Sequence, residues 1–281
     1  MLWASPPPVR GSASCPVRED IPRVLEVLVI LAAAFWAGMI NVVVGSGTLV
    51  TFPTLLLFGY PPIVANISNS IGIVGGGLSG SWGYRREIAA NKRLLLRLLP
   101  LSVLGGLAGA LLLLVLPPEA FQAIVPALIV LGLVMVAVAP RVQRAAAAKG
   151  GQTAPDAAPS RRRALLLLVG IGLLGVYGGY FGAAQGILIV GLMSLVTMES
   201  LQRINAIKNV LTTVVNGVAA LTFMVAAPES IDWTVVLLIA VGATLGGLVG
   251  ARVGRRLSPL TLRITILVIG TLALVRIVFF S

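Results

Sequence analysis

The chain has 281 residues, 58% of them hydrophobic and 11% charged, with a mean hydropathy of +1.02. Soluble domains carry about 25% charged residues, so this composition excludes an ordinary soluble fold and marks an integral membrane protein. The net charge of +12 sits in short loops between apolar runs, the positive-inside pattern rather than a phosphate-binding patch, so nucleic acid is not an expected partner.

Residues 1–22 contain Pro, Ser and Arg but no apolar stretch of signal-peptide type, and read as a disordered amino-terminal extension. A first transmembrane repeat, 23–140, follows, with apolar runs at 24–44, 48–58, 63–82, 95–116 and 119–139. Residues 141–163 form a polar linker, expected to be cytoplasmic, and 164–281 form a second repeat with runs at 164–181, 186–198, 203–226, 233–252 and 260–280. The runs 48–58 and 186–198 are too short to cross: at 1.5 Å per residue the first reaches about 16 Å of a hydrocarbon core roughly 30 Å thick. They predict half-helices or re-entrant elements. The fold class is therefore all-α, a polytopic membrane helix bundle of about 8–10 membrane segments in two repeats with interrupted helices.

Loop charge gives the relative orientation of the repeats. The loop after 63–82 holds Arg85, Arg86, Lys92, Arg93 and Arg97, whereas its counterpart holds Glu229 and Asp232 and no basic residue. The next pair reverses, with Glu119 on one side and Arg252, Arg255, Arg256 and Arg263 on the other. Opposite bias in matching loops predicts that the repeats are inverted, with the linker inside and both termini outside. Arg10, Arg18 and Arg23 oppose that placement of the amino terminus.

Candidate chemistry concentrates at two interruptions, Gly45-Ser46-Gly47-Thr48 and Gly182-Ala183-Ala184-Gln185-Gly186. An anion in a bilayer needs dipoles or a cation around it. Glycines at 45, 47 and 182 allow backbone conformations that expose amides, and a half-helix starting near Thr48 would aim its free N–H groups and positive dipole end at a ligand. Ser46, Thr48 and Thr51 add hydroxyls, and Gln185 an amide. About twenty residues after each break comes a polar helix start, with Asn66 and Asn69 in the first repeat and Asn205, Lys208 and Asn209 in the second. The latter three share a helix face and could cradle an anion; alternatively, Lys208 snorkels to the interface beside Arg203. Asn41 is a further buried-amide candidate, though an interhelical hydrogen bond would satisfy it equally well. Gly75-Gly76-Gly77, Gly105-Gly106 and Gly246-Gly247 lie inside uninterrupted spans and read as helix-packing positions.

No histidine is present and the one cysteine is Cys15, which excludes a histidine-ligated metal, a Ser-His-Asp triad and an intrachain disulfide. No cofactor, metal site or enzymatic activity is predicted. No carboxylate lies in the middle of a span, so a carboxylate proton relay has no support.

Ala37-Gly38-Met39-Ile40-Asn41, the Gly45-to-Leu49 turn ending at Pro53, Gly59-Tyr60-Pro61-Pro62 and Ser79-Gly80-Ser81-Trp82-Gly83-Tyr84-Arg85-Arg86-Glu87 together resemble the sulfite exporter TauE/SafE family, also grouped as sulfonate uptake permeases. Gly178-to-Ala183, Asn205-to-Asn209, Asn216-Gly217 and Gly250-Ala251-Arg252 extend the likeness across the second half, over about residues 24–280. The resemblance implies a multi-pass protein of the bacterial cytoplasmic membrane that moves sulfite or organosulfonates, mainly outward. Thr48 and Ala184-Gln185 stand where glycines are common in such members, a difference that would alter pocket size. Electrogenic alternating access is the expected mechanism. Uptake, or another small anion or solute, remains the alternative, and a channel would want a more continuous polar lining. The partners so predicted are a small anionic substrate and membrane lipid, and a homodimer is compatible with this reading.

Overall fold

The computed structural model describes residues 22–149, 161–197, 199–253 and 259–280. The predicted extension up to residue 21, the middle of the predicted linker and the arginines at 255 and 256 lie outside the described residues. Among the described residues eleven α-helices follow in order: α1 (Arg23–Val43), α2 (Thr48–Leu57), α3 (Pro62–Gly83), α4 (Arg85–Ala90), α5 (Lys92–Val115), α6 (Pro118–Lys149), α7 (Arg161–Tyr180), α8 (Gln185–Val196), α9 (Leu201–Ala226), α10 (Trp233–Val253) and α11 (Pro259–Phe280). Among the described residues there is no strand. The molecule is a polytopic helical membrane bundle, as composition predicted.

Local chemistry explains most of the boundaries. Pro62 occupies the first turn of α3, where its missing N–H costs nothing. The Asp232 carboxylate accepts from the amides of Thr234 and Val235, both at 3.0 Å, and starts α10. Two features differ from the sequence reading. The loop after α3 contains a short helix, α4, because Arg-Arg-Glu-Ile-Ala-Ala favours helix before Asn91 ends it. Helix α6 also runs past Pro140 to Lys149, into the predicted linker, since Arg, Gln, Ala and Lys dominate that stretch.

Six described helices, α1, α5, α6, α7, α9 and α10, are long and apolar enough to cross a membrane. Helix α3 has the length but carries the buried polar residues Asn66, Ser68, Asn69 and Ser70, and it packs between α9 and α10. Small residues let the principal helix pairs approach closely, as is usual where lipid offers no hydrophobic drive to association. Gly242, Gly246 and Gly250 of α10 meet Leu31, Phe35 and Met39 of α1 in the same order, so these helices run parallel. Gly72, Gly76 and Gly83 of α3 meet Ile239, Ala243 and Ala251, also in parallel. Gly105 and Gly109 of α5 meet Gly172 and Val176 of α7 in the same sense. By contrast, Ser68 near the start of α3 accepts from the Asp232 amide beyond the end of α9, while Glu87 beyond the end of α3 accepts from Gln202 at the start of α9. Helices α3 and α9 are antiparallel.

Helices are exchanged between the halves. Helix α10 packs on α1 and α3 of the first half, and α5 packs on α7 and α9 of the second. Likewise α11 covers α2, and α6 covers α8. Each half-helix is thereby shielded by the last helix of the other half, which brings both interruptions into the centre of one bundle.

Candidate functional site

Both interruptions are real breaks with the same backbone pattern. In the first, the amides of Val44 and Gly45 both donate to the Ile40 carbonyl, at 2.7 and 3.0 Å, and Gly45 has φ +90°. In the second, Phe181 and Gly182 both donate to the Tyr177 carbonyl, at 3.0 and 3.1 Å, and Gly182 has φ +75°. A left-handed residue at each helix end turns the chain, and glycine takes that conformation without steric cost. The return of the first hairpin is tied down by the Tyr60 hydroxyl, which donates to Glu26 Oε1 in the first turn of α1 at 2.7 Å.

The two breaks touch. The Gly186 amide, in the first turn of α8, donates to the Gly45 carbonyl at 3.1 Å. A Cβ built on Gly45 would lie 2.7 Å from the Gly186 Cα, so neither position has room for a side chain. Among the described residues, the amides of Ser46, Gly47, Thr48, Ala183 and Ala184 find no acceptor. The Ser46 hydroxyl is 1% exposed and also without a partner. The starts of α2 and α8 thus carry unsatisfied donors at their positive ends.

Lys208 runs past this contact. Its stem lies beside Gly45 and Gly186, and its ammonium donates to the carbonyls of Asn41 and Val42 at 3.1 and 3.0 Å. The residue is 0% exposed, which rules out snorkelling to the interface. These carbonyls end α1, whose last turn has no basic residue of its own. A lysine from the other half therefore neutralises the negative end of the α1 dipole. The isolated cost of burying an ammonium is several kcal/mol, and the two charge-assisted bonds and the dipole offset it. Asn66 makes a comparable cross-bundle contact, its Nδ2 donating to the Tyr180 carbonyl at the end of α7 at 3.0 Å.

The remaining predicted residues take different roles. Asn69 joins the start of α2: its Nδ2 donates to Thr48 Oγ1 at 3.3 Å, and its Oδ1 accepts from Thr51 Oγ1. Asn209 is buried on the Lys208 face with its Nδ2 unpartnered, whereas Asn205 is only half-buried. Gln185 turns away from the lysine, donating to the Leu174 carbonyl at 2.9 Å and packing on Gly178. Asn41 contributes its carbonyl rather than its side-chain amide. Sequence reasoning placed the Thr51 hydroxyl at the first break but did not assign Gly186 or the carbonyls of Val42 and Tyr180 to the site. Gly186 is the last residue of the predicted motif and was within reach; a carbonyl has no side-chain signature. Phe52 and Phe121 pack edge-on against Phe181 beside the second break, with ring centroids at 5.1 and 6.3 Å.

A family profile described as "Sulfite exporter TauE/SafE" matches residues 30–277. A probable membrane transporter protein of Haemophilus influenzae is 28% identical over 239 residues, covering 81% of this chain and 85% of the relative. The probable membrane transporter protein YfcA of Escherichia coli is 25% identical over 228 residues, 80% of this chain and 79% of its own length. The probable membrane transporter protein ORF9 of a Sinorhizobium species is 33% identical over a shorter 102 residues, 36% of this chain and 39% of the relative. No solved structure matches the chain.

Proposed function

The chain belongs to the sulfite exporter TauE/SafE family of membrane transporters, and from that premise we propose that it exports a small sulfur-containing anion, sulfite or an organosulfonate, across the bacterial cytoplasmic membrane. The observation that carries this reading is the meeting of both breaks at Gly45 and Gly186 beside a fully buried Lys208. Unsatisfied amides of two half-helix starts and one cation are the groups an oxyanion needs in a low-dielectric interior. Ser46, Gly47 and Thr48 contribute from α2, and Ala183 and Ala184 from the second break. Asn69 holds Thr48 and Thr51 in place rather than donating to substrate. Asn66 fixes the end of α7.

Every principal group of the site is buried, so the arrangement described is a closed one. The ammonium of Lys208 is held by α1 carbonyls here. An arriving anion competes for that charge, and transfer of the lysine from helix end to substrate loosens α1 from α9. Transport then proceeds as alternating access, with the halves acting as inverted repeats. The antiparallel course of α3 and α9 and the exchanged packing of α5 and α10 favour that reading.

The electrical gradient is the proposed driving force. A dianion leaving a negative interior gains about 4.6 kcal/mol per 100 mV, an equilibrium ratio of roughly two-thousand-fold. Purified protein in vesicles loaded with sulfite or sulfoacetate should give saturable efflux that accelerates when a potassium diffusion potential makes the interior negative. Flux indifferent to potential but abolished by collapse of a proton gradient would refute the driving force. Absence of saturable flux for both anions would refute the substrate class.

A further inference from the structure

A cleft lies at the end of the α3–α10 pair. It has a volume of about 260 Å³ and is lined by Trp82, Gly83, Arg85, Leu248, Ala251 and Arg252. A second hollow of about 370 Å³ adjoins it through Gly83 and Arg85 and adds Arg86 and Glu87. From these we infer a binding site for an anionic phospholipid, with the phosphate headgroup between Arg85 and Arg252 and the acyl chains along the membrane face of α3 and α10.

The headgroup end is basic and partly preorganised. The Arg85 guanidinium lies 4.6 Å from the Trp82 ring centroid and donates to the Trp82 carbonyl at 3.3 Å, which restrains it at the mouth of the cleft. Arginine forks match phosphate oxygens in pairs. Among the described lining residues the carboxylate is that of Glu87, which accepts from Gln202 Nε2 at 2.6 Å, and three arginines outweigh it.

The chain end is apolar. Trp82 is 55% exposed, and Leu78, one turn earlier on the same face, is 60% exposed. On α10, Leu237, Val241, Leu245 and Val249 form an exposed stripe at four-residue spacing. Glycine contacts draw the two helices together between these ridges, at Gly76 with Ala243 and Gly83 with Ala251. An exposed tryptophan at the basic end of an apolar trough is the arrangement expected at the headgroup level of a bilayer. Charge and polarity thus select a lipid with a negative phosphate headgroup, and each basic group near an anionic membrane surface adds about 1 kcal/mol of attraction.

Native mass spectrometry of the full chain in detergent tests the assignment, with phosphatidylglycerol and phosphatidylcholine of identical acyl chains titrated separately. Phosphatidylglycerol should bind roughly ten- to thirty-fold more tightly. The double variant Arg85→Gln/Arg252→Gln should lower it to the phosphatidylcholine level, and Trp82→Ala should weaken both lipids. A thermal melt in detergent alone identifies a variant that has failed to fold; Arg85→Lys/Arg252→Lys, which keeps both charges, then takes its place and should retain most of the preference. Equal binding of the two lipids, or an unchanged preference in the Gln variant, overturns the proposal. So does displacement of the lipid by millimolar inorganic phosphate, which would identify a free-anion site instead.

Discussion

Replacing Lys208 by Met separates a functional lysine from a structural one. Two effects oppose each other in stability. The ammonium makes two bonds to the carbonyls of Asn41 and Val42, at 3.1 and 3.0 Å. Hydrogen bonds involving a charged group contribute about 1.5–3 kcal/mol each. Against this stands the desolvation of a residue that is 0% exposed, which costs several kcal/mol. Met removes both terms but leaves the carbonyls of Asn41 and Val42 without that donor, a loss of about 1–3 kcal/mol set against the recovered desolvation, so the net change should stay within about 2 kcal/mol. On that scale the Tm moves by less than about 8 °C. Transport should respond quite differently. Removing one partner of a buried, hydrogen-bonded charge pair costs about 2–5 kcal/mol, or roughly thirty-fold to five-thousand-fold in apparent affinity. Thermal melting in detergent, beside concentration-dependent sulfite efflux from vesicles, reads the two effects. A variant that melts normally and transports with wild-type apparent affinity refutes the role given to Lys208. A variant that no longer folds refutes the balance of terms argued here.

The break residues give substitutions of opposite sign. Gly45→Ala puts a side chain at φ +90° and within 2.7 Å of the Gly186 Cα, so it should cost more than about 2 kcal/mol and lower the yield of folded protein. Ala184 already sits at φ 61°, and Ala184→Gly should relieve about 1 kcal/mol and raise the Tm; a lowered Tm would show that the left-handed turn is not strained. Asn69→Ala removes the partner of both Thr48 and Thr51, and leaving such buried hydroxyls unpaired should destabilise by about 1–3 kcal/mol. Its transport defect should accompany the loss of stability, and a full defect with unchanged melting would assign Asn69 to the substrate instead.

Membrane residence, the two breaks and the shortness of α2 and α8 were legible in the chain because each is a local property. Apolar length sets what a bilayer accepts, and glycine at positions such as Gly45 and Gly182 marks where a helix stops. Helix α4 and the continuation of α6 past Pro140 are also local, written in helix-forming residues between charges. Tertiary structure alone decided the partners. Lys208 meets a carbonyl 166 residues away, and every residue carries a carbonyl, so no side-chain pattern could have pointed to Val42. Gln185, predicted to face the same ligand as Lys208, instead fills the space beside Gly178, a choice made by packing volume. Which donors remain unsatisfied at the centre of a bundle depends on which helix ends are brought together, and that follows from the exchange of α5 and α10 between the halves.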